Sequence, residues 1–96
     1  MKLSIIIPVF NEEGSLRELY HQITDSIKVY KDYEIVFIDD GSSDESKMII
    51  KKMIEKDHKV KLISFFRNFG KSAALSEGFK YASGDVIITM DADLQD

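Results

Sequence analysis

Four short apolar runs, separated by three stretches with helical spacing, limit what this chain can fold into. The runs are Leu3 to Val9, Tyr33 to Ile38, Val60 to Phe65 and Val86 to Met90, and each reads as a strand. Between them, Leu16, Leu19, Tyr20, Ile23, Ile27 and Tyr30 recur at helical intervals, as do Ile49, Ile50, Met53 and Ile54. A third helix is expected from Ser72 to Ala82. Strands alternating with helices of this length imply right-handed βαβ crossovers, a parallel sheet and helices on both faces. The expected fold is α/β, with four mostly parallel strands alternating with three helices.

Local signals mark the ends of these elements. Pro8 cannot donate to a ladder and is expected to close the first strand. Ser15-x-x-Glu18 and Ser42-x-x-Glu45 have the spacing of capping boxes. Ser83-Gly84 is expected to stop the third helix with a glycine cap. The run Val86 to Met90 is apolar throughout and reads as a buried strand.

Ninety-six residues make one small domain, and 44% hydrophobic with 31% charged residues is ordinary globular composition. A formal net charge of −4 argues against a general nucleic-acid binder, which would carry a basic stripe. Cysteine is absent, so no disulfide contributes to the fold. The first ten residues are too short for the apolar segment of a signal peptide, and no run reaches bilayer-spanning length. A cytoplasmic location is the expectation. Because the chain stops two residues after Leu94, it is also expected to be part of something longer.

Open parallel sheets bind ligands at the carboxyl ends of their strands, and the unusual residues collect there. Pro8, Phe10, Asn11 and Glu12 follow the first strand, Asp39, Asp40, Gly41 and Ser42 the second, and Arg67, Asn68, Gly70 and Lys71 the third. Asp91-Ala92-Asp93 with Gln95 follows the fourth. Neighbouring side chains at a strand end point to opposite faces, so one carboxylate of Asp39-Asp40 is expected to enter the cleft. It would accept hydrogen bonds from a ribose or base, while Gly41 and Ser42 also suit a plain turn and helix cap. Asn11-Glu12-Glu13 suits an acidic helix start as well as a ligand contact. Arg67 and Lys71 flank a glycine just before a helix N-terminus, a place that binds phosphate, although the glycine spacing of nucleotide-binding loops is missing. His21 and His58 read as surface residues, and Phe65, Phe66, Phe69 and Phe79 as core or loop anchors.

The Asp-x-Asp is the most chemical of these clusters. If the backbone stays extended, Asp91, Asp93 and Gln95 present their oxygens on one side. Two carboxylates about 5 Å apart repel by about 3 kcal/mol at an effective dielectric near 20, which is useful only with a cation between them. Oxygen ligands at such a place suit Mg²⁺ or Mn²⁺, which in turn hold phosphates. A solvated acidic turn is the plainer alternative.

Taken together, the chain resembles the nucleotide-sugar-binding half of a family 2 glycosyltransferase with the Rossmann-like GT-A fold, and within it the polyprenyl-phosphate hexose transferases. The matching text is Ile7-Pro8-Val9-Phe10-Asn11-Glu12-Glu13, Asp39-Asp40-Gly41-Ser42-Ser43-Asp44, Arg67-Asn68-Phe69-Gly70-Lys71-Ser72-Ala73-Ala74-Leu75, Gly84-Asp85, and Met90-Asp91-Ala92-Asp93-Leu94-Gln95-Asp96. The resemblance implies that Pro8, Phe10, Glu12 and Asp40 line a base and ribose pocket, with Asn11, Gly41 and Ser42 beside it. It implies that Lys71 and Asn68 lie near the diphosphate, and that Asp91, Asp93 and Gln95 hold a divalent metal, Mg²⁺ or Mn²⁺. It further implies inverting transfer of a hexose to a polyprenyl phosphate, with UDP-glucose the first choice of donor and GDP-mannose the second. Acceptor-binding and membrane-associated parts would come after Asp96, so this stretch alone is expected to be inactive and to expose an apolar edge prone to self-association. Two other classes compete. A phosphoacceptor receiver module also gathers Asp residues at strand ends, but it would place the acidic pair after the first strand, where this chain has Asn-Glu. A non-catalytic binding module of the same fold is the other.

Overall fold

The computed structural model describes residues 1–93, so the expectation for Gln95 lies outside the described residues. Among the described residues four strands and three helices alternate: β1 (Leu3–Val9), α1 (Leu16–Ile27), β2 (Tyr33–Asp39), α2 (Ser46–Lys56), β3 (Val60–Ser64), α3 (Lys71–Tyr81) and β4 (Val86–Thr89). All three strand pairings are parallel and the order is β3-β2-β1-β4. The chain therefore steps outward from β1 through β2 to β3, then returns past β1 to lay down β4. Strand order reverses between β1 and β4, which makes the carboxyl ends of those two strands a topological switch point.

Alternation along β1 and β2 sorts the core into two layers. Leu3, Ile5, Ile7 and Val9, with Ile35 and Phe37, pack against Leu16, Leu19, Ile23 and Ile27 of α1 and Ile49 and Ile50 of α2. Ile6, Val36 and Ile38 face the other way and pack with Ala74 of α3. Each fully buried isoleucine contributes roughly 1.5–3 kcal/mol relative to an exposed one. On the second layer α3 sits very close to the sheet: a Cβ at Gly78 would lie 2.4 Å from Ile6 Cγ2.

Several local expectations are corrected. β1 runs through Pro8 to Val9 against β2, and only the ladder to β4 stops earlier, at Ile6 opposite Thr89. Neither capping box forms. Ser15 is the N-cap of α1 but makes no capping bond, because its hydroxyl is drawn to the Ala92 carbonyl, 2.9 Å away. α2 begins three residues later than the Ser42 box requires, with Glu45 as N-cap, because the Ser42 hydroxyl accepts from the Asn11 N–H at 2.9 Å. α3 ends at Tyr81 with Ala82 as its cap, and Gly84 is not among the residues with positive φ. Gly84 is needed for space instead, since a Cβ there would lie 2.5 Å from Ser4 Oγ. β4 is not buried: Val86, Ile87 and Ile88 are 39–41% exposed. Of the phenylalanines expected as core or loop anchors, Phe66 and Phe79 lie outside the core, Phe66 edge-on to Phe69 in its loop.

Candidate active site

The loops after β1 and β2 are joined to each other. The N–H groups of Asn11, Glu12 and Glu13 donate to Ser42 Oγ, Ser46 Oγ and Asp44 Oδ2 at 2.9–3.1 Å. In return Asn11 Oδ1 accepts from Ser43 N at 2.8 Å and Asp44 N at 3.3 Å, and Glu13 Oε1 accepts from Glu45 N at 2.8 Å. Asn11 takes a left-handed backbone, φ 52°, which asparagine tolerates better than most residues. Asn11 and Ser42 thus spend their polar groups on holding two loops together.

A second junction ties β2 to the loop before α3. Asp40, 3% exposed, accepts from Phe69 N at 2.7 Å, Gly70 N at 3.0 Å and Asn68 Nδ2 at 3.0 Å. Asp39 is buried as well, and its Oδ1 takes the Ser42 N–H at 3.3 Å. Gly41, at φ 73°, lies flat under that loop, where a Cβ would come within 2.2 Å of the Arg67 carbonyl carbon. Arg67 folds back over the Phe69 ring at 4.0 Å and does not line the cleft described next.

These junctions frame an open cleft of about 530 Å³ at the switch point. Pro8, Val9, Phe10 and Glu12 line it from the end of β1 and the loop after it, Asp40 from just past β2, Asn68, Gly70 and Lys71 from the β3–α3 connection and the start of α3, and Asp91, Ala92 and Asp93 from beyond β4. Of the residues expected at the site from sequence, the cleft brings together Pro8, Phe10, Glu12, Asp40, Asn68, Lys71, Asp91 and Asp93. Asn11, Gly41 and Ser42 stand behind it. Gly70 lines it too, as the glycine between Arg67 and Lys71, while Val9 and Ala92 line it unanticipated; both are apolar and carried no chemical signal.

Extended backbone does not continue through the Asp-x-Asp, since β4 ends at Thr89 and the chain bends at Ala92. Ala92 is tucked into the larger core cluster, 4% exposed, and its carbonyl is held by Ser15. That anchoring leaves Asp91 and Asp93 on the cleft. Lys71, the first residue of α3, pairs with Asp91 Oδ1. Hydrogen bonding and charge from Asp91, with a smaller push from Asp93, raise the Lys71 ammonium pKa above the usual lysine value.

Among the described residues the cleft is lined by four carboxylates, Glu12, Asp40, Asp91 and Asp93, and one ammonium, Lys71. An anionic ligand would be repelled there without an added cation. Among the described residues no three His, Cys, Asp or Glu side chains are grouped to hold a metal. Two cleft carboxylates suit Mg²⁺ or Mn²⁺, which bind through one or two carboxylates and complete their shells with substrate phosphates and water. The donor chemistry fits.

Residues 4–96 match the family model described as Glycosyl transferase family 2. The chain belongs to this family. Against the bactoprenol glucosyl transferase of Shigella phage SfV this glycosyltransferase chain is 46% identical over 98 residues, covering 100% of itself and 32% of that protein. Against the undecaprenyl-phosphate 4-deoxy-4-formamido-L-arabinose transferase of Salmonella choleraesuis (strain SC-B67) it is 47% identical over 96 residues, covering 98% and 29%. It thus spans about a third or less of the length of these polyprenyl-phosphate sugar transferases. The fold is that of GT-A glycosyltransferases. The crystal structure of S. aureus TarS 1-349 in complex with UDP is similar at TM-score 0.85 and 28% identity, over 97% of this chain and 28% of that one. The mannosyltransferase PcManGT from Pyrobaculum calidifontis, in complex with GDP-Man and Mn²⁺, shares the fold at TM-score 0.86 and 24% identity, over 95% and 27%. Family membership sets aside the receiver-module alternative. No helix among the described residues is long and apolar enough to cross a membrane.

Proposed function

We propose that this chain is the nucleotide-sugar-binding part of an inverting glycosyltransferase that moves a hexose from UDP-glucose to a polyprenyl phosphate with a divalent cation. The observation that carries it is the convergence of Glu12, Asp40, Asn68, Lys71, Asp91 and Asp93 on one cleft at the switch point. Pro8, Phe10, Glu12 and Asp40 take the nucleoside end. Lys71, at the N-terminus of α3, takes the diphosphate, where the helix dipole and backbone N–H groups also favour negative charge. Asp91 and Asp93, with Gln95 as a further oxygen ligand, hold Mg²⁺ or Mn²⁺, which neutralises charge on the departing diphosphate.

The acceptor needs little activation. A lipid phosphate carries about −1.5 to −2 charge near neutral pH, so its oxygen is already nucleophilic. That oxygen attacks the anomeric carbon from the face opposite the nucleoside diphosphate, and the bond from that carbon to the diphosphate oxygen breaks. Because the acceptor resides in a membrane, the full-length enzyme works at a membrane surface, on the cytoplasmic side where nucleotide sugars are made.

The glucosyl relative supports glucose, and the TarS complex supports uridine. The arabinose-derivative relative, equally similar, keeps a second sugar in play, and GDP-mannose is the remaining reading. Calorimetric titration of UDP-glucose and GDP-mannose onto the full-length protein, with and without Mn²⁺, tests all of this. Metal-dependent binding of UDP-glucose is expected. Asp93→Ala is expected to abolish the metal dependence with the fold intact by circular dichroism; equal affinity in variant and parent removes Asp93 from the site, and no binding of either nucleotide refutes the reading.

A further inference from the structure

We infer that Ser15 is a positioning residue for the metal-holding turn: its hydroxyl pins the Ala92 carbonyl to the start of α1 and so places Asp93 beside Asp91 on the cleft. The inference rests on the donor-site reading above. A serine at a helix N-cap ordinarily turns its hydroxyl onto the N–H groups of the first turn. Ser15 is the N-cap of α1 and makes no such bond. A serine hydroxyl has a single hydrogen to give. Three acceptors lie within reach of it: the Ala92 carbonyl at 2.9 Å, Glu12 Oε2 at 3.2 Å and the Glu12 carbonyl at 3.3 Å. The Ala92 carbonyl is nearest and takes it, which leaves the Glu12 carboxylate able to accept from a ligand. A local cap is given up for a contact 77 residues away.

The turn needs such a hold. β4 stops at Thr89, and Met90 N–H still bonds the Ile6 carbonyl at 3.0 Å, so Asp91 is placed from the sheet side. Asp93 lies two residues further on, past a bend. Its placing depends on Ala92, whose methyl is sunk in the larger core cluster. Burial of a methyl is non-directional, so it keeps Ala92 in place without setting the direction of its backbone. A hydrogen bond is directional, and the Ala92 carbonyl belongs to the rigid peptide plane that joins Ala92 to Asp93. Holding that carbonyl therefore fixes where the Asp93 side chain begins.

A placed pair of carboxylates matters most to a cation with strict geometry. Mg²⁺ demands a near-ideal octahedron, whereas Ca²⁺ accepts looser and more varied oxygen shells. In the full-length protein, Mn²⁺ is titrated without nucleotide by electron paramagnetic resonance, and Mg²⁺ and Ca²⁺ are then titrated as competitors. Ser15→Ala is expected to weaken Mn²⁺ and Mg²⁺ about fivefold, the worth of one net hydrogen bond, and to leave Ca²⁺ within about twofold. Ser15→Gly removes the hydroxyl but caps a helix nearly as well as serine, so it is expected to match alanine in metal binding even should alanine disturb α1. Ser15→Thr keeps the hydroxyl and is expected to bind within about twofold of the parent. Ser4→Ala, which removes a buried hydroxyl at the opposite end of the sheet, is expected to lower stability and leave metal affinity unchanged. Parent-like Mg²⁺ affinity in Ser15→Gly, equal losses for Mg²⁺ and Ca²⁺, or an equal loss in Ser4→Ala would overturn the role of Ser15 and leave the donor site standing.

If the parent binds no divalent cation, the metal reading of the cleft fails on its own, and nitrogen-15 relaxation at Asp93 then decides the hold. An order parameter near the rigid value of about 0.85 in the parent, and a lower one in Ser15→Gly, sustains it. A turn that is already flexible in the parent, or equal values in both proteins, overturns it.

Discussion

Lys71 and Asp91 each face two demands. They pair with one another in the free protein, while the proposed reaction asks Lys71 to meet a diphosphate and Asp91 a metal. Both side chains are 62% exposed, and exposed ion pairs are weak enough to exchange partners readily. Lys71→Ala is therefore expected to tighten Mn²⁺ binding in the absence of nucleotide by about threefold while weakening UDP binding. Manganese titration followed by electron paramagnetic resonance measures the first effect; unchanged or weaker Mn²⁺ binding would show that Lys71 does not compete for Asp91. At the opposite end of the sheet, Glu34 shows what a satisfied buried carboxylate does for stability. Burial pushes its pKa up, but the Ser83 N–H, the Ser4 hydroxyl, the Lys2 ammonium and the Ser83 hydroxyl together outweigh that, and its pKa lies below the usual glutamate value. A depressed folded-state pKa stabilises the protein above the unfolded value of 4.5, and the gain is lost as pH falls through the folded value. Glu34→Gln is expected to cost about 1–3 kcal/mol at neutral pH and much less in acid. Urea denaturation at neutral pH and near pH 3 compares the two.

Among the elements, α3 has the tightest constraint. Replacing Gly78 with alanine would ordinarily favour the helix by about 0.5–1 kcal/mol. Here the added methyl would sit 2.4 Å from Ile6 Cγ2 and 2.9 Å from Ile38 Cδ1, and Ile6 is fully buried with a stiff, branched side chain. Overpacking of that kind costs about 1–3 kcal/mol, so Gly78→Ala is expected to lower stability overall. A rise in melting temperature would mean that α3 stands further from the sheet. Element identity and order were legible because period-two and helical patterns are local. Ends were less so: Ser15, Ser42 and Gly84 carry the residue types of caps, but each is claimed by a partner 31–80 residues away in sequence. Cap chemistry is short-range and lost to those tertiary contacts.

For the molecule as a whole, β4 is the exposed flank. Among the described residues its only strand neighbour is β1, and Val86, Ile87 and Ile88 are each about two-fifths accessible to solvent. An apolar edge of this kind invites strand-to-strand association. The chain is expected to elute from gel filtration as larger species with rising concentration, and Ile88→Lys to shift it toward monomer. A clean monomer for both proteins across a wide concentration range would rule out edge pairing. The sequence alone determined the alternation of strands and helices, and the placing of its polar clusters at strand carboxyl ends, because hydrophobic period and residue type are properties of neighbours. Only the tertiary structure decided that β4 returns beside β1, that Asn11 and Ser42 tie loops rather than face the cleft, and that Asp40 holds the loop before Lys71. Those outcomes depend on which distant segments pair, and pairing is selected by packing over the whole sheet, which no local pattern encodes.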